Sequence, residues 1–181
     1  IVSLMFVVES LGLYYFAFNA GLGVSTALNR AFSNAVYPHL CAAKDQLSAY
    51  RKALRNLGIP FVLVYIAQAA MALIYVPIVF GSTWAAAAPL VAILCLGGPA
   101  RLLVDAARMK ARAEGASARD FRISIGLTVS VLVPFALFAQ HGLAATAIIS
   151  ISCATVFALA ITQISLRAAA PHAIQTMGAT S

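Results

Sequence analysis

The sequence is short of charge. Only 9% of its 181 residues are Asp, Glu, Lys or Arg, against 62% hydrophobic, and the mean hydropathy is +0.94. A soluble domain carries about 25% charged residues. So few charges could not cover a water-facing surface, so the bilayer is the expected solvent over most of the chain. Two stretches, Asn56 to Ala100 and Ile123 to Leu166, contain no Asp, Glu, Lys or Arg at all. Chemistry is scarce as well. Cys41, Cys95 and Cys153 are far apart, with no CxxC or Cys/His ligand spacing, and are expected to be small apolar packing residues. His39, His141 and His172 are isolated: the first two fall at predicted helix ends and the third in the tail. Among Glu9, Asp45, Asp105, Glu114 and Asp120 no two stand three or four apart, which leaves no carboxylate pair for a metal. No glycine-rich phosphate loop, nucleophile elbow or HExxH occurs. No catalytic residue, metal or cofactor is therefore expected, and the chain does not read as an enzyme.

What is present organises as membrane helices. Each uncharged run is about twice the roughly 20 residues that cross a bilayer once, so each should fold back as a helical hairpin. The first turns at Gly81-Ser82-Thr83-Trp84, where glycine breaks the helix and tryptophan suits the interface; the second turns at Gln140-His141-Gly142. The expected fold is all-α, a polytopic transmembrane bundle. Its helices are placed at about 11–37, 57–80, 85–107, 121–139 and 143–167. A stub over 1–8, set off by Glu9-Ser10, ends a preceding span, and 168–181 is a disordered tail. The start on Ile1-Val2-Ser3-Leu4 has neither methionine nor basic leader, and the expectation is that an earlier part of the first helix is missing.

The net charge of +7 belongs to short loops rather than to a nucleic-acid surface. Lys44, Arg51, Lys52 and Arg55 lie in one loop; Arg108, Lys110, Arg112, Arg119 and Arg122 lie in another; Arg167 closes the last span. The hairpin tips and the 9–10 turn hold no basic residue. By the positive-inside rule these loops and the C-terminus are cytoplasmic.

One helix is less apolar than the others. On a helical wheel over 11–37, Tyr15, Asn19, Gly23, Thr26, Arg30, Ser33 and Tyr37 fall within about 40° of one line. Asn29 and Asn34 flank them, and Ala17, Val24, Leu28, Phe32 and Ala35 take the other side. Lipid offers polar groups no partners, so such a stripe should line a water-filled cavity or act as hydrogen-bond glue between helices. Arg30 and Arg101 sit within spans. Either could snorkel to the headgroups, and Arg101 could pair with Asp105 one turn on. Alternatively both bind an anion, since a guanidinium fork donates bidentately to phosphate. Pro60, Pro77, Pro89, Pro99 and Pro134, with Gly97-Gly98 before Arg101, loosen these spans in a way common where transporters bind or flex.

Three stretches in order carry a resemblance: Leu11-Gly12-Leu13-Tyr14-Tyr15, Tyr37-Pro38-His39-Leu40, and Phe80-Gly81-Ser82-Thr83-Trp84 followed by Ala85–Leu94. They resemble the LGLY opening of a cavity helix, the YPxL that ends it, and the FGxxW turn of bacterial polysaccharide and O-antigen flippases, in the multidrug/oligosaccharidyl-lipid/polysaccharide exporter superfamily. The resemblance covers roughly 11 to 167 of the chain. It implies a 12-helix, two-lobed bacterial inner-membrane transporter working by alternating access, of which this chain is the C-terminal six-helix lobe, partly truncated. The implied substrate is an undecaprenyl-pyrophosphate-linked glycan, and the implied partner is the missing N-terminal lobe, without which the chain should not transport. Joined to the stripe, this gives candidate substrate-binding residues Arg30, Arg101, Asn19, Thr26, Ser33, Tyr37 and Asn34, with pyrophosphate near the arginines and sugar along the stripe. A drug exporter of the same superfamily, a membrane-embedded enzyme of polysaccharide assembly and a non-catalytic membrane scaffold are the alternatives.

Overall fold

The computed structural model describes residues 8–138 and 142–167, and every regular element among them is helical. The helices are α1 (Val8–Ala42), α2 (Gln46–Ala53), α3 (Ile59–Phe80), α4 (Ala88–Cys95), α5 (Gly97–Ala113), α6 (Ser117–Phe138) and α7 (Leu143–Arg167). A π-helical turn, Leu54–Gly58, joins α2 to α3, and a 3₁₀ turn, Ser82–Ala87, leads into α4. Four helical stretches are long and apolar enough to cross a membrane: Gln46–Phe80, Ser82–Ala113, Ser117–Phe138 and Ala144–Arg167. The chain is a multi-pass helical membrane protein. Residues 1–7 of the expected stub over 1–8, His141, the Gln140 side of the second turn and the tail 168–181 with His172 lie outside the described residues.

Several boundaries differ from those read in the sequence, each for a local reason. Glu9 and Ser10, expected as a turn, lie within the first turn of α1. It also passes Pro38 and ends only at Ala42, so its 35 residues reach roughly 50 Å. It is long enough to span, yet it is not among the four stretches apolar enough to do so. The loop expected to hold Lys44, Arg51, Lys52 and Arg55 is mostly helix. Asp45 caps α2, its carboxylate accepting from the backbone N–H of Leu47 at 3.0 Å and Ser48 at 3.1 Å. The following π turn widens the helix just before Pro60, which has no N–H for a regular bond. The span expected at 85–107 breaks at Leu96 and then continues as α5 to Ala113, stopping where Gly115 takes φ 72°.

Two glycines shape the bundle, one by its backbone angle and one by a close approach. Gly81, at φ 88°, turns the first hairpin in a conformation that favours glycine. At Gly98 the backbone lies against the ring of Tyr65, and a Cβ there would overlap that ring. Tyr65 is fully buried, and Phe32, Tyr50, Leu102 and Met109 share its apolar cluster.

The two ends of the bundle differ in chemistry. At one, Gln46 Nε2 donates to the Ala113 carbonyl at 3.1 Å, and the buried Lys110 donates to the Ser165 carbonyl at 2.8 Å. These contacts bring the three basic segments of the sequence together. Lys110 also pairs with Glu114 at 3.0 Å and stands over the Tyr50 ring, 5.8 Å from its centre. The opposite end is aromatic: Phe16 stacks on Trp84 at 4.2 Å and meets Phe80 edge-on at 4.9 Å, while Tyr14 lies 5.9 Å from Phe135. Such rings suit a membrane interface. Of the cysteines, Cys95 is buried as a packing residue, while Cys41 and Cys153 are exposed.

Candidate functional site: an arginine-lined cavity between α1 and α5

α1 buries Ala17, Gly21, Ser25, Asn29, Phe32, Val36 and Leu40, one side of the helix at three- and four-residue steps. That side packs on α4 and α5. The polar stripe therefore turns outward: Tyr15, Asn19, Gly23, Thr26, Arg30 and Tyr37 are exposed and Ser33 is half-buried. Towards the basic end, the stripe and α5 enclose a cavity of about 570 Å³. α1 contributes Thr26, Asn29, Arg30, Ser33, Asn34, Tyr37 and Pro38; α5 contributes Arg101, Asp105, Arg108, Met109 and Arg112.

Thus six of the seven candidate residues, Thr26, Arg30, Ser33, Asn34, Tyr37 and Arg101, stand around one cavity although α1 and α5 are far apart in sequence. Asn19 does not. It lies further toward the aromatic end, exposed, and its amide donates to the Tyr15 carbonyl of its own helix at 2.8 Å. Arg108, Arg112 and Asp105 were not among the candidates. The first two read as loop charges, but α5 persists through them, and 101, 105, 108 and 112 follow the i, i+4, i+7, i+11 rhythm of one helix face. That rhythm is visible in the sequence once the helix is allowed to continue to Gly115.

The four arginines are not equivalent. Asp120 on α6 accepts from Arg108 Nε at 2.7 Å and from Arg112 Nε at 2.8 Å, so both of these are engaged. Asp105 lies 3.6 Å from Arg108 Nη1 but 3.9 Å from Arg101 Nε, a loose contact for a side chain 58% exposed. Arg30 makes no ion pair among the described residues and is exposed. Of the four, Arg30 and Arg101 are therefore the least engaged. An anion meeting both would gain charge-assisted, forked hydrogen bonds.

Asn29 forms part of the wall and is 6% exposed. Tyr65 Oη donates to its Oδ1 at 2.7 Å and lies 3.2 Å from the Ser25 carbonyl, while Asn29 Nδ2 is buried without a partner among the described residues. Gln68 on α3 also reaches α1, donating to the Gly21 carbonyl at 3.3 Å. These bonds tie α3 to the buried side of α1 directly behind the cavity and hold the stripe outward.

A helical membrane bundle with a cationic recess on one polar helix is the class that fold and site define. Residues 1–89 match the model of a family described as polysaccharide biosynthesis protein. The match takes in α1, α2 and α3, hence the α1 wall of the cavity, and stops before the α5 wall that carries Arg101. No curated protein and no solved structure matches the chain. Over its first half, then, this membrane protein is similar to proteins of polysaccharide biosynthesis.

Proposed function

We propose that the chain is one lobe of a flippase that carries a lipid-linked oligosaccharide precursor across the bacterial inner membrane by alternating access. The observation that carries this reading is the placement of Arg30 and Arg101, the least engaged of the four arginines, in one cavity beside a polar helix face. The pyrophosphate of the substrate binds those two arginines. The sugars extend along Thr26, Ser33, Asn34 and Tyr37, whose hydroxyl and amide groups suit a glycan. The exposed side of the stripe is closed by a second helical lobe of the same protein, and rocking of the two lobes changes the leaflet to which the cavity opens. The basic end faces the cytoplasm, which puts the arginines near the leaflet where the substrate is loaded. The match to a polysaccharide biosynthesis family supports the pathway. The cavity supports transport, with no chemical step.

The test is substitution in the full-length protein reconstituted in proteoliposomes. Arg30→Ala and Arg101→Ala should each lower translocation of a prenyl-pyrophosphate-linked sugar by about tenfold or more, as loss of one charged hydrogen-bonding partner of about 1.5–3 kcal/mol implies. Asn19→Ala should transport normally. Wild-type rates in both arginine variants would remove the cavity from the mechanism.

A further inference from the structure

A separate cleft of about 300 Å³ lies between α6 and α7 and shares no lining residue with the arginine cavity. Arg119 and Arg122, in the opening turns of α6, line it on one side; Ile161, Ile164 and Phe157 of α7 line it on the other. From Ile164 to Phe157 the α7 wall runs about 10 Å along the helix, away from the basic end. The inner end is firmly built. The Phe157 ring lies against the backbone of Gly126, where a Cβ would overlap it, and both Phe157 and Ile161 pack on the buried Ile123 and Ala158. No carboxylate lines the cleft among the described residues. Arg119 Nη1 is shared with Glu114 at 2.7 Å, whereas Arg122 makes no ion pair among the described residues and donates only to the Ala118 carbonyl of its own helix, at 3.2 Å.

We infer that this cleft holds the headgroup of an anionic phospholipid at Arg119 and Arg122, with an acyl chain laid along Ile164, Ile161 and Phe157. Both α6 and α7 are long and apolar enough to cross a membrane, so residues in the opening turns of α6 stand at headgroup depth. From its mouth inward the cleft is cationic and then apolar, which is the order of headgroup and chain in one leaflet. A soluble anion would satisfy the arginines but leave the isoleucines and Phe157 facing water. A lipid fills both parts. With two cations and no acid the cleft favours a headgroup of net negative charge over a zwitterionic one, whose ammonium would be brought against guanidinium. The apolar wall exchanges lipid contacts for protein contacts and adds little affinity. The preference therefore comes from the headgroup alone, at about fivefold per arginine. None of this depends on what the arginine cavity binds.

The experiment titrates the full-length protein in detergent with dioleoyl phosphatidylglycerol or dioleoyl phosphatidylcholine, and native mass spectrometry reads the affinity for the first lipid bound. The wild-type protein should hold phosphatidylglycerol more tightly. Arg122→Gln should weaken phosphatidylglycerol binding by about fivefold and leave phosphatidylcholine unchanged. Arg119→Gln should weaken it too, by less, because Glu114 already engages that side chain. Arg55→Gln removes an exposed charge outside the cleft and should change neither lipid. Arg101→Ala, in the arginine cavity, should change neither as well. Equal affinity of the wild-type protein for the two lipids would overturn the site. So would an equal loss of both lipids in Arg122→Gln, which would mean a disturbed fold. The same phosphatidylglycerol loss in Arg55→Gln would reduce the effect to the general field of the basic end, and a loss confined to Arg101→Ala would move the lipid to the other cavity; either overturns the proposal. Displacement of phosphatidylglycerol by millimolar inorganic phosphate would make this a soluble-anion site and contradict the lipid as occupant.

Discussion

α1 and α3 are both long, both pack against the α4–α5 segment, and each leaves a broad face uncovered, yet the two faces are chemical opposites. α3 exposes Leu63, Val64, Ile66, Met71, Leu73, Ile74 and Ile78. α1 exposes Asn19, Gly23, Thr26 and Arg30 over a comparable length. In water the face of α3 would be an aggregation site; in a bilayer it is the ordinary lipid boundary. The face of α1 has no such home in lipid, so it belongs against water or another protein surface. One bundle thus has two boundaries, and the residues that hold it together, Tyr65 above all, lie between them.

The largest effect should come from moving one charge between the boundaries. Ile74→Arg puts a guanidinium on the lipid face of α3 and should cost about 3 kcal/mol of membrane insertion. Gly23→Arg on α1, where a side chain meets nothing within 4 Å, should cost less than about 1 kcal/mol if that face is wet. A glycosylation-based insertion assay on the two variants reads the difference directly, and equal costs would dissolve the comparison. Next is Gly98→Ala. Its Cβ overlaps the Tyr65 ring and either shifts α5 or expels the ring, for about 2 kcal/mol of stability measured by thermal unfolding in detergent. Tyr65→Phe keeps the packing and removes the donor to Asn29, for about 1 kcal/mol. The sharper reading there is positional: labelling of α1 should become less uniform as the stripe loses its brace. Smallest is Asn19→Ala, within about 0.5 kcal/mol, because its amide serves only its own helix.

The sequence made some of this plain. The uncharged runs and the glycine at 81 announce the hairpins, and a 100° step per residue picks out the polar stripe of α1, although of the residues placed opposite it Ala17 and Phe32 are buried and Ala35 is exposed. What it hid was the reach of the helices. Arg108 and Arg112 looked like loop charges because lysine and arginine near a span end serve topology so often, yet no breaker stands between Arg101 and Gly115 to stop α5. Asp45 read only as a lone acid, and the basic stretch after it read as loop, so the cap that starts α2 went unseen. Asn29 read as a flank of the polar stripe and is buried instead, and Ser25 was not placed at all. Both meet Tyr65 arriving from α3, a tertiary meeting that no periodicity within α1 encodes.

The central claim is that the stripe of α1 lines a water-filled, anion-binding cavity, and site-directed thiol labelling tests it most directly. In the full-length protein with Cys41, Cys95 and Cys153 replaced by Ala, single cysteines are placed as Ser33→Cys in the cavity and Ile74→Cys on the lipid face. A membrane-impermeant maleimide is added from the side of the basic loops. The account predicts fast labelling of Ser33→Cys, slowing on addition of a prenyl pyrophosphate, and no labelling of Ile74→Cys. A Ser33→Cys protein as inert as Ile74→Cys, with or without the pyrophosphate, would contradict it.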